Sequence, residues 1–432
     1  MSAARRLLVV VLLAALLAAP AARPGAAVAA GADERVVRVP GDQPTIETAI
    51  GASAPGDVIL VGAGTYPGGL TIPEDKPGIT IRGVDRNTVV FDGAGVRTNA
   101  IEVEADGVTL ENLSAHDYVG NGFYWDGVVG FAGRYLTVWN VGLYGIYAIS
   151  SRGGSIEESF VSGAADAAFY IGECQPCDTV VRKVTARLSA VGYSGTNAGG
   201  NLVVEDSLFE LNQVGILPNS YDVGLEPPPQ RGAVFRRNTV RGSGTAATPR
   251  ATPLGGFRGI GIGIIGGAAN TVEGNDVSGS TRYGIVIVPA IDREATWVPA
   301  DNRITSNRVA GSGVADLALA GGSGPGNCFQ GNTAARLDPA GLAGTCPTTG
   351  GSDAVAAALA RPPQQLLDGL PAAPPFGDMP APGPQPSLPV EPSMDLLWLA
   401  IPAAALALGA AGLGILFRRR TSGTGGVSPS RG

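Results

Sequence analysis

Phe235-Arg236-Arg237-Asn238-Thr239-Val240 is one copy of a phrase that returns as Val272-Glu273-Gly274-Asn275-Asp276-Val277 and as Ile304-Thr305-Ser306-Asn307-Arg308-Val309. Each copy reads as an apolar residue, two others, Asn or Ser, one more, and an apolar residue. Val204-Glu205-Asp206-Ser207-Leu208-Phe209 and Ile156-Glu157-Glu158-Ser159-Phe160-Val161 are serine-bearing copies. Leu110-Glu111-Asn112-Leu113 and Val138-Trp139-Asn140-Val141 are shortened ones. A glycine and a second apolar strand follow, as in Tyr283-Gly284-Ile285-Val286-Ile287. Short alternating strands, glycine turns and a short fixed repeat describe one coil of a right-handed parallel β-helix. The expected fold is therefore an all-β, single-stranded solenoid.

Asparagine at one position per coil predicts a buried ladder, in which amides satisfy one another and the turn backbone, because a buried amide without partners is costly. Asn112, Asn140, Asn238, Asn275, Asn307 and Asn332 are assigned to it.

Outward from the repeats, the chain opens with Val36-Val37-Arg38-Val39, and Thr45 then starts a short amphipathic helix with Ile46 and Ile50 on one face. Such a helix plugs the open end of a stacked sheet. With Gly56-Asp57-Val58-Ile59-Leu60-Val61 and Gly64-Thr65-Tyr66, this opening resembles the N-terminal cap of the pectin-lyase-like superfamily. Ile79-Thr80-Ile81-Arg82-Gly83 and Val90-Phe91-Asp92-Gly93 continue the resemblance. The stretch Tyr144 to Gln230 also resembles a group of actinobacterial-type β-helix proteins, on phrases such as Cys174-Gln175-Pro176-Cys177 and Gly192-Tyr193-Ser194-Gly195-Thr196-Asn197. That likeness implies the fold and supplies no activity.

The two ends have other compositions. Arg5 and Arg6, an apolar run from Leu7 to Ala19 and small residues ending in Ala27-Val28-Ala29 read as a signal peptide over 1–29. The β-helix is expected over 30–346, and a Pro/Ala/Gly-rich linker over 347–394, read as an extended stalk with a short helix near Ala354 to Ala360. Residues 395–417 are long and apolar enough to cross a bilayer, and Arg418, Arg419 and Arg420 open a basic cytoplasmic tail over 418–432. The span and basic tail also resemble the sorting tails of some bacterial surface proteins, although no clear cleavage motif precedes them. The expected location is a cell membrane crossed once, with the β-helix outside. The net charge of −7 argues against a nucleic-acid partner.

A stricter period marks the middle coils. Tyr124, Tyr147, Tyr170 and Tyr193 stand 23 residues apart, with Ile101 one period before and Ile216 one after. In the same register Glu173, Thr196 and Asn219 form one column, and Cys174, Asn197 and Ser220 the next. Strand alternation puts Phe123, Ile146 and Phe169 in the core and turns the tyrosines outward. An exposed aromatic ladder beside amides and carboxylates suits a polysaccharide or cell-envelope glycan, since rings stack on pyranose faces and polar neighbours bind hydroxyls. The same ladder also reads as a stabilising stack. Tyr124, Tyr147, Tyr170, Tyr193, Asn197 and Asn219 are the candidate binding residues, and Asp126, Asp166 and Glu173 the carboxylates for any lyase, epimerase or hydrolase chemistry.

Cys174 and Cys177 are expected to form a local disulfide, and Cys328 and Cys346 to pin the last coil. The single histidine, His116 beside Asp117, lacks a matched nucleophile and is not assigned a catalytic role. Gly261, Gly263 and Gly266 match a dinucleotide fingerprint formally, yet no helix signal follows. No metal site or cofactor is expected. Calcium is the one ion the superfamily resemblance admits, because its lyases commonly use calcium-binding acids with an Arg or Lys base, a motif not found here. Two readings follow: a membrane-anchored extracellular β-helix that binds and processes polysaccharide, or a non-catalytic envelope or adhesion rod.

Overall fold

The structure, a computed structural model, describes residues 35–245, 257–348, 350–360 and 379–390. The segments read as signal peptide and membrane span lie outside the described residues. Among the described residues no helix is long and apolar enough to cross a membrane.

From Val36 to Asp338 the chain winds as a parallel β-helix. Among the described residues its coils build one sheet of 20 strands and another of 11, with an antiparallel hairpin of Ala290–Asp292 and Ala295–Trp297 beside them. One coil shows the plan. Thr179–Arg182 and Thr185–Arg187 lie in the long sheet and Val191–Thr196 in the short one. Between these segments the backbone passes through the left-handed region at Lys183 and Leu188, both at φ 52°. The same corner recurs in neighbouring coils at Asn112 (φ 55°), Asp117 (φ 58°), Asn140 (φ 54°) and Asp206 (φ 51°). One left-handed residue turns the strand sharply, and Asn and Asp adopt that conformation at the least cost.

Inward residues stack in register down the short sheet. Phe123, Ile146, Phe169, Tyr193, Ile216, Ile262, Ile285 and Leu317 pair in sequence and are all buried. The dinucleotide-like glycines belong to this stack's strand Ile260–Ile265 and its exit turn. At the N-terminal end α1 (Ile46–Ala52) begins at Thr45, whose side chain accepts from the Thr48 amide at 3.2 Å. Its Ile46, Ala49 and Ile50 are buried, so the helix closes the open end as expected. Near the other end α2 (Asp353–Leu359) buries Val355 and Leu359 in an apolar cluster with Leu217, Ile265 and Val286 from the outer face of the short sheet.

The asparagine ladder exists, with changed membership. Asn238 donates to Asn275 Oδ1, Asn275 to Asn307 Oδ1, and Asn307 to Asn332 Oδ1, at 2.9–3.1 Å. A second ladder, absent from the sequence expectation, links Gln230, Asn270, Asn302 and Asn327. Asn112 and Asn140 are not rungs. They occupy left-handed corners, and their amides reach a different segment of chain. The outer face of the long sheet carries a further ladder of alternating charge, in which Arg82, Glu111, Arg134, Glu157, Arg182, Glu205 and Arg236 succeed one another coil by coil.

Residues 379–390, part of the stretch read as a stalk, lie along this body. Asn112 Nδ2 donates to the Leu388 carbonyl and the Leu388 amide donates to Asn112 Oδ1, both at 2.8 Å. Asn87 makes the same two-way clasp with Gln385, at 2.9 and 2.7 Å. Asn140 Nδ2 donates to the Met379 carbonyl at 2.9 Å, and Met379 is buried. Polyproline-rich chain cannot pair its own backbone, so corner amides that offer both donor and acceptor capture it.

Candidate functional site

The tyrosine face forms on the outer side of the short sheet. Phe123–Asp126, Ile146–Ile149 and Ala167–Gly172 lie side by side, with Tyr124 opposite Tyr147 and Tyr147 opposite Tyr170. These three rings point outward as alternation requires. Tyr193 does not. It pairs with Phe169, lies fully buried and packs edge-on against Phe235 in the core, 5.7 Å between centroids. The coil between Phe169 and Tyr193 has 24 residues, where the preceding one, Ile146 to Phe169, has 23. That even offset inverts the facing of Tyr193 relative to the 23-residue period, whereas the long-sheet strands of the same coil, which pair Ile156 with Val181, keep theirs. Ser194 therefore takes the outward place after Tyr170. Ile101 and Ile216 are likewise inward, since Ile101 meets Phe123 and Ile216 meets Tyr193. The residue opposite Tyr124 on the other side is Glu102.

The rings stack on one another. Tyr124 and Tyr147 are 4.7 Å apart at 19°, and Tyr144 and Tyr147 are 4.4 Å apart at 18°. Tyr147 thus has a ring against each face and no face left for a sugar. Tyr170 closes the cluster from 5.0 Å at a steep angle and is buried. Tyr144 carries no period signal in the sequence, because it sits in the turn before its strand. Tyr124 is half-buried, and its hydroxyl donates to the exposed Asp126 at 2.7 Å. Burial raises the phenol pKa of all four rings first of all, and neighbouring carboxylates add to that rise.

The three candidate carboxylates gather around Tyr147 in different states. Asp126 is exposed beside Tyr124. Asp166 is half-buried, and burial raises its pKa against the opposing effect of a hydrogen bond from Tyr144. Glu173 is buried at a left-handed corner, φ 55°. Desolvation pushes its carboxyl up to about 7, although Asn197 and the Glu226 amide hydrogen-bond to it. The Glu226 amide lies 3.0 Å from Oε2. Asn197 also donates to the Tyr221 and Glu226 carbonyls, at 2.6 and 3.0 Å, so Glu173 and Asn197 together hold down the loop after the short-sheet strand Val214–Asn219. Asn219 is buried and bonds Thr196 and Ser194 at 2.8 and 3.2 Å. Asn197 and Asn219 thus serve the scaffold and are closed to a ligand.

The predicted cysteine pairs both form, Cys174 with Cys177 and Cys328 with Cys346. Among the described residues the group that brings metal-ligating atoms together is Asp92, His116 and Asp117, within 4.8 Å of one another. There His116 Nδ1 lies 2.9 Å from Asp117 Oδ2, and its ring stacks on Trp139 at 4.4 Å.

A family model described as a right handed beta helix region matches residues 121–289. No curated protein sequence matches the chain. Solved structures similar to it include the A-module of a mannuronan C-5 epimerase from Azotobacter vinelandii, at 13% identity and TM-score 0.45 over 69% of this chain and 92% of that one. A rhamnogalacturonan lyase matches at 14% identity and TM-score 0.46, over 70% and 84%. An alginate lyase from a Paenibacillus species matches at 15% and 0.43, over 64% and 95%. The parallel strand pairing and the family model agree on a right-handed parallel β-helix.

Proposed function

We propose that this chain is an extracellular β-helix, tethered by its C-terminal apolar segment, that binds a polysaccharide at the Tyr124 face. The observation that carries the proposal is the half-buried Tyr124 ring, backed by Tyr147 and Tyr144 and tied by its hydroxyl to Asp126. A ring already held in one orientation loses little freedom when a sugar packs on its exposed part. Asp126 and the neighbouring Glu102 supply acceptors for hydroxyls or amines.

The charged groups beside Tyr124 are Asp126, which accepts from its hydroxyl, and Glu102, opposite it on the neighbouring strand. That sign favours a neutral or amino-bearing polymer over a polyuronate, which the carboxylates would repel. Binding without catalysis is the activity proposed, because Glu173 is engaged by its loop and Asp166 by Tyr144, which leaves Asp126 alone facing solvent.

The test is a titration of the full chain, in a detergent without a sugar headgroup, against neutral, amino-bearing and uronate oligosaccharides. Tyr124→Ala should weaken binding by about tenfold or more, the scale of one lost aromatic contact. Equal affinity of the variant and the parent for every oligosaccharide would overturn the proposal.

A further inference from the structure

The segment 379–390 runs backwards along the solenoid. Met379 sits at the coil of Asn140 and against Gly163, where a Cβ would meet its Cγ at 2.9 Å. Gln385 and Leu388 are clasped by Asn87 and Asn112, two coils and one coil nearer the start. Ser387 adds contacts to the Arg86 amide at 3.3 Å and to Asp85 at 3.1 Å. Leu388, Pro389 and Val390 then line a groove with Val36, Arg38, Val58 and Leu60, on the first two coils. The described strap therefore ends against the first coils, at the N-terminal end of the body, although the last coil is more than forty residues behind it in sequence.

We infer that this strap seats the β-helix with its N-terminal cap toward the lipid surface and its C-terminal coils pointing away. The inference rests on the reading of Leu396 to Phe417 as a membrane span. From Val390 to Leu396 the chain has six steps, which reach at most about 20 Å. The cap consequently stays within that distance of the headgroups. The last coils stand roughly 50 Å higher, at about 4.8 Å for each coil. Tyr124 lies on the coil of Thr109–Tyr118, only three coil steps above Val36, so its face looks onto glycan close to the membrane.

Four cysteines sit in two disulfides, so an introduced cysteine can be labelled singly. The full chain is reconstituted in vesicles of phosphatidylethanolamine and phosphatidylglycerol that carry a headgroup quencher. A fluorophore at Glu47→Cys, on α1, is compared with one at Val314→Cys in the last coils. Both positions are exposed. Strong quenching at position 47 and little at position 314 is the expected result. Equal quenching, or the reverse, overturns the inference while leaving the membrane reading intact. Loss of vesicle association overturns both together. In the Asn87→Ala, Asn112→Ala double variant the contrast between the two labels should shrink, and a contrast that persists unchanged would show that the strap does not set the orientation.

Discussion

Asn112 and Leu388 face each other as a two-way amide pair, 2.8 Å in each direction, across 276 positions of sequence. Asn112 is able to do this because it sits at a left-handed corner, φ 55°, where its side chain leaves the coil instead of joining the sheet. Asn112→Ala should therefore release the strap at Leu388 without unwinding the helix. Hydrogen exchange at the Leu388 amide should speed up markedly, with a global stability loss of about 1–3 kcal/mol, the scale of two lost hydrogen bonds. Unchanged exchange would show that the clasp contributes nothing.

The tyrosines divide into two roles that substitution can separate. Tyr147→Ala removes a ring packed on both faces, so it should lower thermal stability by about 1–3 kcal/mol from two lost aromatic contacts. Tyr124→Ala removes one such contact and should lose less stability and more glycan affinity. Thermal melts run beside titrations distinguish the pair.

Glu173 makes the fold sensitive to pH. Its carboxyl is raised from 4.5 to about 7 in the folded chain, chiefly by desolvation. The folded state therefore holds the proton more tightly than the unfolded state. Its contribution is fully favourable below 4.5 and is lost as pH rises through about 7. Denaturant midpoints should fall across that window, and Glu173→Gln should flatten the fall. A Gln variant with the same pH slope as the parent would remove Glu173 as the cause.

The asparagine ladder predicts a position effect. Asn307 accepts from the Asn275 amide and side chain and donates to Val272 and Asn332. Asn307→Ala leaves several buried groups unpaired and should cost roughly 2–5 kcal/mol in chemical denaturation. Asn332, the last rung, receives from Asn307 and donates to Ile304. Asn332→Ala should cost clearly less.

The disulfide of Cys328 and Cys346 ties the strand Cys328–Gln330 to the chain just after the last coil. Intact mass without reductant should show no free thiols. Cys346→Ser should lower stability by about 3 kcal/mol, the loop-closure contribution for a ring of this size.

The solenoid is legible along the chain, because every coil must bury the same apolar positions and repeat the same turn, and that repetition is written in Phe235–Val240, Val272–Val277 and Ile304–Val309. So are the cap helix, the rungs from Asn238 to Asn332 and both disulfides. Facing was legible only while the coil length held. One added residue between Phe169 and Tyr193 turned Tyr193 from the surface into the core, and the even spacing of the four tyrosines concealed it. Three features emerge from the folded chain alone: Tyr144 covers the second face of Tyr147, Asn197 and Asn219 are consumed by the scaffold, and 379–390 folds back. Each of these depends on contacts between coils or segments with no common period, and a pattern read along one strand carries no information about what approaches from outside it.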